Sequence, residues 1–311
     1  MSREVALACR AVVKRYGPVL AVDGLDLAVA RGECFGLLGP NGAGKTTTIE
    51  MLEGLLTPDA GVVEVLGRRW ADAAADLRPR LGIQLQETQL AEKLSVAETL
   101  RLFRSFYPSG PSPQELLALV GLESKAAARV GTLSGGQKQR LSVACALAGA
   151  PDVLFLDEPT TGLDPQSRLQ LWDVLTRFKA GGGTILLTTH HMDEAATLCD
   201  RVGVVDRGRL IALGTPAELI ASLGAAHVVE VRLADGAVAP PVTAVESLPG
   251  VREARVSDGL VTLGSTGIHE TIPAVLRTLA EAGIAVRELT THSATLEDVF
   301  VALTGRHLRD G

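Results

Sequence analysis

The stretch FGLLGPNGAGKTTTIEMLEGL, residues 35–55, constrains the fold of this chain more than any other. It fits G-x-x-x-x-G-K-[ST], with Gly39, Gly44, Lys45 and Thr46 at the fixed positions. The apolar run Cys34 to Leu38 predicts a buried strand before the loop. Thr46 to Leu55 predicts a helix after it, with Ile49, Leu52, Leu55 and Leu56 on one face. Strand, glycine loop and helix in that order make a phosphate cradle. Glycine lets the backbone approach an anion closely and take unusual φ values. The helix N-terminus aims its unpaired N–H groups and the positive end of its dipole at the same place. Lys45 adds a point charge for the β- and γ-phosphates, and the Thr46 hydroxyl is the expected Mg²⁺ ligand. A glycine-rich turn with a solvated lysine is the plain alternative, and the strand–helix context disfavours it.

Three more apolar runs follow, VLFLD (153–157), TILLTT (184–189) and RVGVVD (201–206), separated by helical stretches. This alternation predicts a mostly parallel α/β sheet covered on both faces. Before the loop, LDLAV puts Leu25, Leu27 and Val29 on one face, which predicts a half-buried antiparallel strand. Ser112, Pro113 and Glu115 fit a helix start, as do Thr215, Pro216 and Glu218. Past about residue 225 the pattern becomes β-α-β-β-α-β, with a hairpin turning at Asp258–Gly259, and predicts a small ferredoxin-like α+β domain. Its last helix carries Leu296, Val299, Phe300 and Leu303 at helical spacing, a packing face. The expected domains are therefore 4–222 and 225–311.

With 311 residues, 46 % of them hydrophobic and only 3 % aromatic, the chain fills two domains whose cores are built from Ala, Val and Leu. The net charge of −6 and the lack of a basic run argue against a broad nucleic-acid footprint. Cys9, Cys34, Cys145 and Cys199 are widely spaced and read as buried free thiols in a reducing compartment. No apolar stretch reaches the length of a membrane span, and the N-terminus does not read as a signal peptide.

The remaining chemistry comes in a set order. LFLDEP places Asp157 and Glu158 at the C-terminal end of an apolar strand, the end that faces ligand in open α/β sheets. Asp157 is the candidate to hold Mg²⁺, directly or through water, and Glu158 the candidate to polarise the attacking water. LSGGQ sets Ser134, Gly135 and Gly136 at a second helix N-terminus, either an anion site or an ordinary capped start. TTHHMDEA places His190 and His191 past another strand end, where alternation points them to opposite faces. LQLQET offers Gln84 and Gln86 as neutral amides for Mg²⁺ or water. Tyr16, in KRYGP, offers a large apolar face to adenine.

Taken together, residues 4 to 220 resemble the ATP-binding subunits of ATP-binding-cassette (ABC) transporters, through the phosphate loop, LSGGQ, LFLDEP, GLDP and TTHHMDEA. The resemblance implies a P-loop ATPase core with an antiparallel β subdomain and a helical subdomain at about 87–150. It implies ATP and Mg²⁺ as cofactors. The nucleotide would meet Tyr16, Gly39, Asn41, Gly42, Gly44, Lys45, Thr46 and Thr47 of one protomer. Ser134, Gly135, Gly136, Gln137 and Asp164 would complete the site across a head-to-tail homodimer. Glu158, His190 and Gln86 would be catalytic, and Thr46, Gln86 and Asp157 would face the metal. The tail TLEDVFVALTGRHLRD resembles the drug- and antibiotic-resistance branch, daunorubicin-type exporters included. That branch pairs the ATPase with a separate membrane permease, so the expected place is cytoplasmic, on the inner face of the membrane. The competing expectation is an ABC-type ATPase acting on ribosomes or nucleic acid. The single cassette and the short, cysteine-poor interval between motifs weigh against it. A non-catalytic binding module is opposed by the intact Glu158.

Overall fold

The computed structural model describes residues 4–85 and 89–305. These divide into two compact units, the first ending at Thr215 and the second beginning at Pro216.

The first unit opens with two long strands, β1 (Val5–Tyr16) and β2 (Val19–Ala30), then β3 (Cys34–Leu38), helix α1 (Lys45–Glu53) and β4 (Ala60–Val65). β2, β1 and β4 form an antiparallel sheet in that order. In β2 the side chains of Leu25, Leu27 and Val29 are buried while Asp26 and Ala28 face out, the period-two pattern of a half-buried strand. Helix α1 is shorter than its apolar pattern predicts. Gly54 takes φ 75° and its N–H closes on the carbonyls of Glu50 and Met51, a left-handed stop. Leu55 then lies past the helix and exposed, whereas Ile49 and Leu52 are buried. The indole of Trp70 covers this end and donates to the Leu52 carbonyl at 2.9 Å.

After α2 (Trp70–Leu77) and β5 (Leu81–Gln84) the chain enters three helices, α3 (Val96–Ser105), α4 (Pro113–Val120) and α5 (Gly135–Ala146). The α4 start has the capping box Ser112–Glu115 with proline in its first turn. Arg140 of α5 is buried and its Nη1 donates to the Val120 carbonyl at 2.6 Å, a cation on the C-terminal end of α4. Then come β6 (Val153–Asp157), α6 (Pro165–Ala180), β7 (Thr184–Thr189), α7 (Met192–Leu198), β8 (Arg201–Asp206) and β9 (Arg209–Gly214). The six-stranded sheet runs β5-β6-β7-β3-β8-β9, parallel except for the antiparallel edge strand β9. Strands β6, β7 and β3 are neighbours and point the same way. Their C-terminal ends therefore gather at one edge, where β6 leads into Glu158, β7 into His190 and β3 into the glycine loop. All four cysteines are free and buried. Burial pushes the Cys9 and Cys145 thiols up to about 12, so both stay protonated.

Helix α8 (Pro216–Ala221) departs from the expected domain boundary. The sequence pattern assigns it to the first domain, but it buries Leu219 and packs against α11 (Leu296–Thr304), so it belongs to the second unit. That unit continues with β10 (His227–Leu233), α9 (Val242–Glu246), β11 (Val251–Ser257), β12 (Leu260–Ser265), α10 (Ile268–Glu281) and β13 (Val286–Ser293). Its sheet is antiparallel throughout, in the order β11-β12-β10-β13. Asp258 and Gly259 both take positive φ, 49° and 73°, as a two-residue turn between β11 and β12 demands. Leu296, Val299 and Phe300 of α11 are buried, whereas Leu303 is exposed. Arg255 holds α11 from the sheet: Nη2 donates to the Ala302 carbonyl at 2.8 Å, Nη1 donates to the Val301 carbonyl, and Glu253 braces the guanidinium at 2.7 Å. Among the described residues no helix is long and apolar enough to cross a membrane.

Candidate nucleotide site

The phosphate loop has the shape its glycines allow. A Cβ at Gly39 would stand 2.2 Å from the Val205 carbonyl oxygen, and one at Gly44 would stand 2.3 Å from that of Ala21. Gly44 also takes φ 101° as the N-cap of α1, a conformation that L side chains resist. Gly42 has φ 75°, and Asn41 and Gly42 are exposed at the crest of the loop. The buried Lys45 folds back over this loop, and its Nζ donates to the carbonyls of Gly39 at 2.8 Å and Pro40 at 3.0 Å. Desolvation lowers the Lys45 pKa from its ordinary value, against the opposing pull of Glu158 and Asp157.

Two carboxylates face the loop from the end of β6. Thr46 Oγ1 lies 3.1 Å from Asp157 Oδ2, and the other oxygen of Asp157 accepts from Thr188 of β7. Glu158 Oε1 lies 3.8 Å from Lys45 Nζ, with Lys45 5 % and Glu158 9 % exposed. Glu158 takes φ 47°, the left-handed region, which strains any residue bearing a Cβ. Its N–H is shared between the carbonyl and hydroxyl of Thr188, each at 3.1 Å. Thr161 donates to Glu158 Oε2 at 3.1 Å.

His190 puts Nδ1 3.2 Å from Glu158 Oε2, close but misaligned for a hydrogen bond. His191 takes the N-cap of α7, with its ring 4.2 Å from that of His190. Burial, reinforced by His190, holds the His191 pKa below its usual value. The sequence pattern expects the two histidines on opposite faces, but β7 ends at Thr189 and the chain turns into α7, so the rings lie together and it is His190 that adjoins Glu158.

The oxygens of Thr46 and Asp157 fit Mg²⁺. They are hard donors, and a cation that keeps phosphate and water ligands needs only one or two from protein. Gln86, the other expected metal residue, lies outside the described residues. Gln84 is buried, with its amide donating to the Leu85 carbonyl at 2.6 Å. Tyr16 is exposed at the end of β1, and Lys14 Nζ lies 6.0 Å from its ring centre.

The segment Ser134–Gln137 lies elsewhere in the unit. Ser134 caps α5, and Gln137 closes the capping box by accepting from the Ser134 N–H at 3.1 Å. α5 packs on α3, α4, α6 and β5. Asp164 caps α6, accepting from the Ser167 N–H at 3.0 Å and from its hydroxyl at 2.6 Å. These contacts hold the Asp164 carboxyl below its usual range. Ser167 in turn abuts Gly136, where a Cβ would stand 2.3 Å from Ser167 Oγ. Gly135 and Asp164 are exposed.

Two of the three glutamates buried among the described residues, Glu53 and Glu194, belong to helices of this unit, and no sequence motif marks them. Glu53, near the end of α1, is 3 % exposed, and neither oxygen has a hydrogen-bond partner among the described residues. Burial, with Asp157 and Glu50 nearby, pushes its pKa up to about 8. Glu194 of α7 is fully buried, with Trp172 Nε1 3.4 Å from Oε1, and burial raises its pKa. Only their position on apolar helix faces signals this.

Residues 22–161 match a family described as ABC transporter. Over 308 residues the chain is 44 % identical to Nod factor export ATP-binding protein I of Burkholderia lata, covering 97 % of each. Over 307 residues it is 41 % identical to daunorubicin resistance ATP-binding protein DrrA3 of Streptomyces coeruleorubidus, covering 97 % of this chain and 96 % of that one. A solved ATP-binding subunit of an ABC transporter superposes with a TM-score of 0.64 and 31 % identity over 70 % of this chain and 93 % of its own. An ATP-binding cassette solved as a dimer, in a post-hydrolysis state bound to ADP and Pi, gives a TM-score of 0.62 and 25 % identity over 67 % and 98 %.

Proposed function

This chain belongs to the ABC transporter family and hydrolyses ATP, and on that premise we propose that it powers an exporter of drugs, antibiotics or other small amphipathic molecules. It does so as a separate subunit on the cytoplasmic face of the membrane, beside a permease. The observation that carries export is the similarity to export and resistance ATP-binding proteins over 97 % of the chain, second unit included.

The residues act as follows. The loop from Gly39 to Thr47 wraps the phosphates with backbone N–H groups, and Lys45 moves from its carbonyl partners to the β- and γ-phosphates. Thr46 and Asp157 would hold Mg²⁺, which would supply charge neutralisation at the phosphates. Glu158 orients the attacking water and draws its proton, because its carboxylate lies beside the lysine that marks the phosphate position. His190, beside Glu158, contacts the γ-phosphate. Tyr16 stacks on adenine. The exposed Ser134, Gly135 and Asp164 meet the nucleotide of a second protomer, head to tail, so that ATP closes the dimer and hydrolysis opens it. The second unit stabilises the chain or regulates this cycle.

Inside-out vesicles carrying the chain and the membrane protein encoded beside it test the direction of transport. ATP-dependent accumulation of a fluorescent amphipath, abolished by Glu158→Gln, is the expected result. ATP-dependent release of the amphipath preloaded in the same vesicles would overturn the export reading.

A further inference from the structure

We infer that Thr188 is a positioning residue for the hydrolytic site, its hydroxyl orienting the Asp157 carboxylate toward Thr46 while it holds the Glu158 backbone in its left-handed turn. This rests on the reading of Asp157 as a metal ligand and Glu158 as the base.

The register of the central sheet makes the contact. β6 and β7 run parallel, and Thr188 stands opposite Asp157. Thr188 is wholly buried and Asp157 is 3 % exposed, so water does not compete for either group. A threonine hydroxyl has one proton and two lone pairs. Here the proton goes to Asp157 Oδ1, and a lone pair takes the Glu158 N–H at 3.1 Å. The Thr188 carbonyl accepts that N–H as well, at 3.1 Å. One side chain on a neighbouring strand therefore ties down two adjacent residues with different tasks.

The consequence for Asp157 is an asymmetry between its oxygens. Oδ1 is engaged by Thr188, while Oδ2 is the nearer to Thr46 Oγ1, at 3.1 Å against 3.5 Å. The Thr188 bond fixes the carboxylate plane with Oδ2 turned toward Thr46, the other residue that would hold the cation. For Glu158, the shared N–H restrains a backbone that would otherwise relax out of φ 47°. The adjacent Thr189 does a separate job, accepting the His191 N–H at 2.9 Å. Neighbouring residues of one strand face opposite ways, and this pair serves the carboxylates on one side and the histidine turn on the other.

The test compares Thr188→Val, which keeps the shape and loses the hydroxyl, with Thr188→Ser, which keeps the hydroxyl. Asp157→Asn is the control, all in the full chain. Mg²⁺ is titrated calorimetrically into protein saturated with a hydrolysis-resistant ATP analogue. Analogue affinity in EDTA and melting temperature without nucleotide are also measured. Partners of metal ligands are worth roughly 10–100-fold in metal affinity. Thr188→Val is expected to lose about that much Mg²⁺ affinity, with affinity in EDTA unchanged and Thr188→Ser close to the parent. If Thr188→Val does not fold, Thr188→Ala against Thr188→Ser carries the same expectation. Unchanged Mg²⁺ affinity in the hydroxyl-free variant, or an equal loss in Thr188→Ser, overturns the inference. Where Asp157→Asn loses Mg²⁺ and Thr188→Val does not, only the role of Thr188 falls. Where neither does, the reading of Asp157 falls with it.

Discussion

Lys45 Nζ stands 3.8 Å from Glu158 Oε1 in a pocket that leaves neither side chain a tenth exposed. A cation and a carboxylate this close and this dry depend on each other, because removing one strands the other in low dielectric. On the proposed reading, phosphate enters between this ammonium and this carboxylate.

Glu158→Gln keeps the shape and removes the proposed base. ATP binding should persist, and turnover should fall on the order of 10²–10⁴-fold. The variant should also accumulate an ATP-bound dimer in sedimentation, since the closed state no longer decays. Hydrolysis at the parental rate would remove Glu158 from the reaction.

The two glycines of LSGGQ, Gly135 and Gly136, should respond differently. Gly135 has open space where a Cβ would sit, whereas at Gly136 the Cβ meets Ser167 Oγ at 2.3 Å. Gly136→Ala should lower the melting temperature. Gly135→Ala should leave it unchanged or slightly higher, yet cut turnover on the order of 100-fold, if a second protomer brings nucleotide against this helix start. Full activity in Gly135→Ala would argue that nothing approaches there.

Glu53 gives the nucleotide-free protein a pH dependence of known sign. Its folded pKa of about 8 lies above the ordinary 4.5, so between those values the native state holds a proton that the unfolded chain releases. The contribution is fully present below pH ~4.5 and is lost as pH rises toward 8, to the extent of a few kcal/mol. Glu53→Gln should flatten this slope. Urea denaturation at pH 5.5 and pH 8 checks it, and parallel losses in both proteins would sink the assignment.

Arg255→Met should loosen α11 without touching the nucleotide site. It strips the guanidinium from the carbonyls of Val301 and Ala302, a loss of about 1–3 kcal/mol locally. Hydrogen exchange in residues 296–304 should speed up while ATP affinity stays the same. Unchanged protection in α11 would show that the buried Leu296, Val299 and Phe300 hold the helix unaided.

The parts that were legible in the sequence are those written in short-range chemistry. The Ser112–Glu115 capping box and the Asp258–Gly259 turn follow from residues a few positions apart. The strand-end placement of Asp157 and the alternating burial of Leu25, Leu27 and Val29 follow from pattern. What escaped depends on register and tertiary contact. Leu55 matches the helical stripe but falls past a left-handed Gly54. Helix α8 has a proper start signal, yet the signal says nothing of the partner it packs on. Thr188 reads as an ordinary strand residue, and only its pairing opposite Asp157 gives its hydroxyl a task.

The positive φ of Glu158 carries a cost that selection for heat resistance would meet first. Holding a Cβ-bearing residue there costs roughly 1–2 kcal/mol, and glycine would relieve it. Position 158 is therefore a place where the most robust chain and the working enzyme part company. Directed evolution that screens for survival on heating alone should reach Glu158→Gly only together with loss of the Lys45 charge, which would otherwise be left buried and unpaired, recovering tougher proteins that no longer turn over.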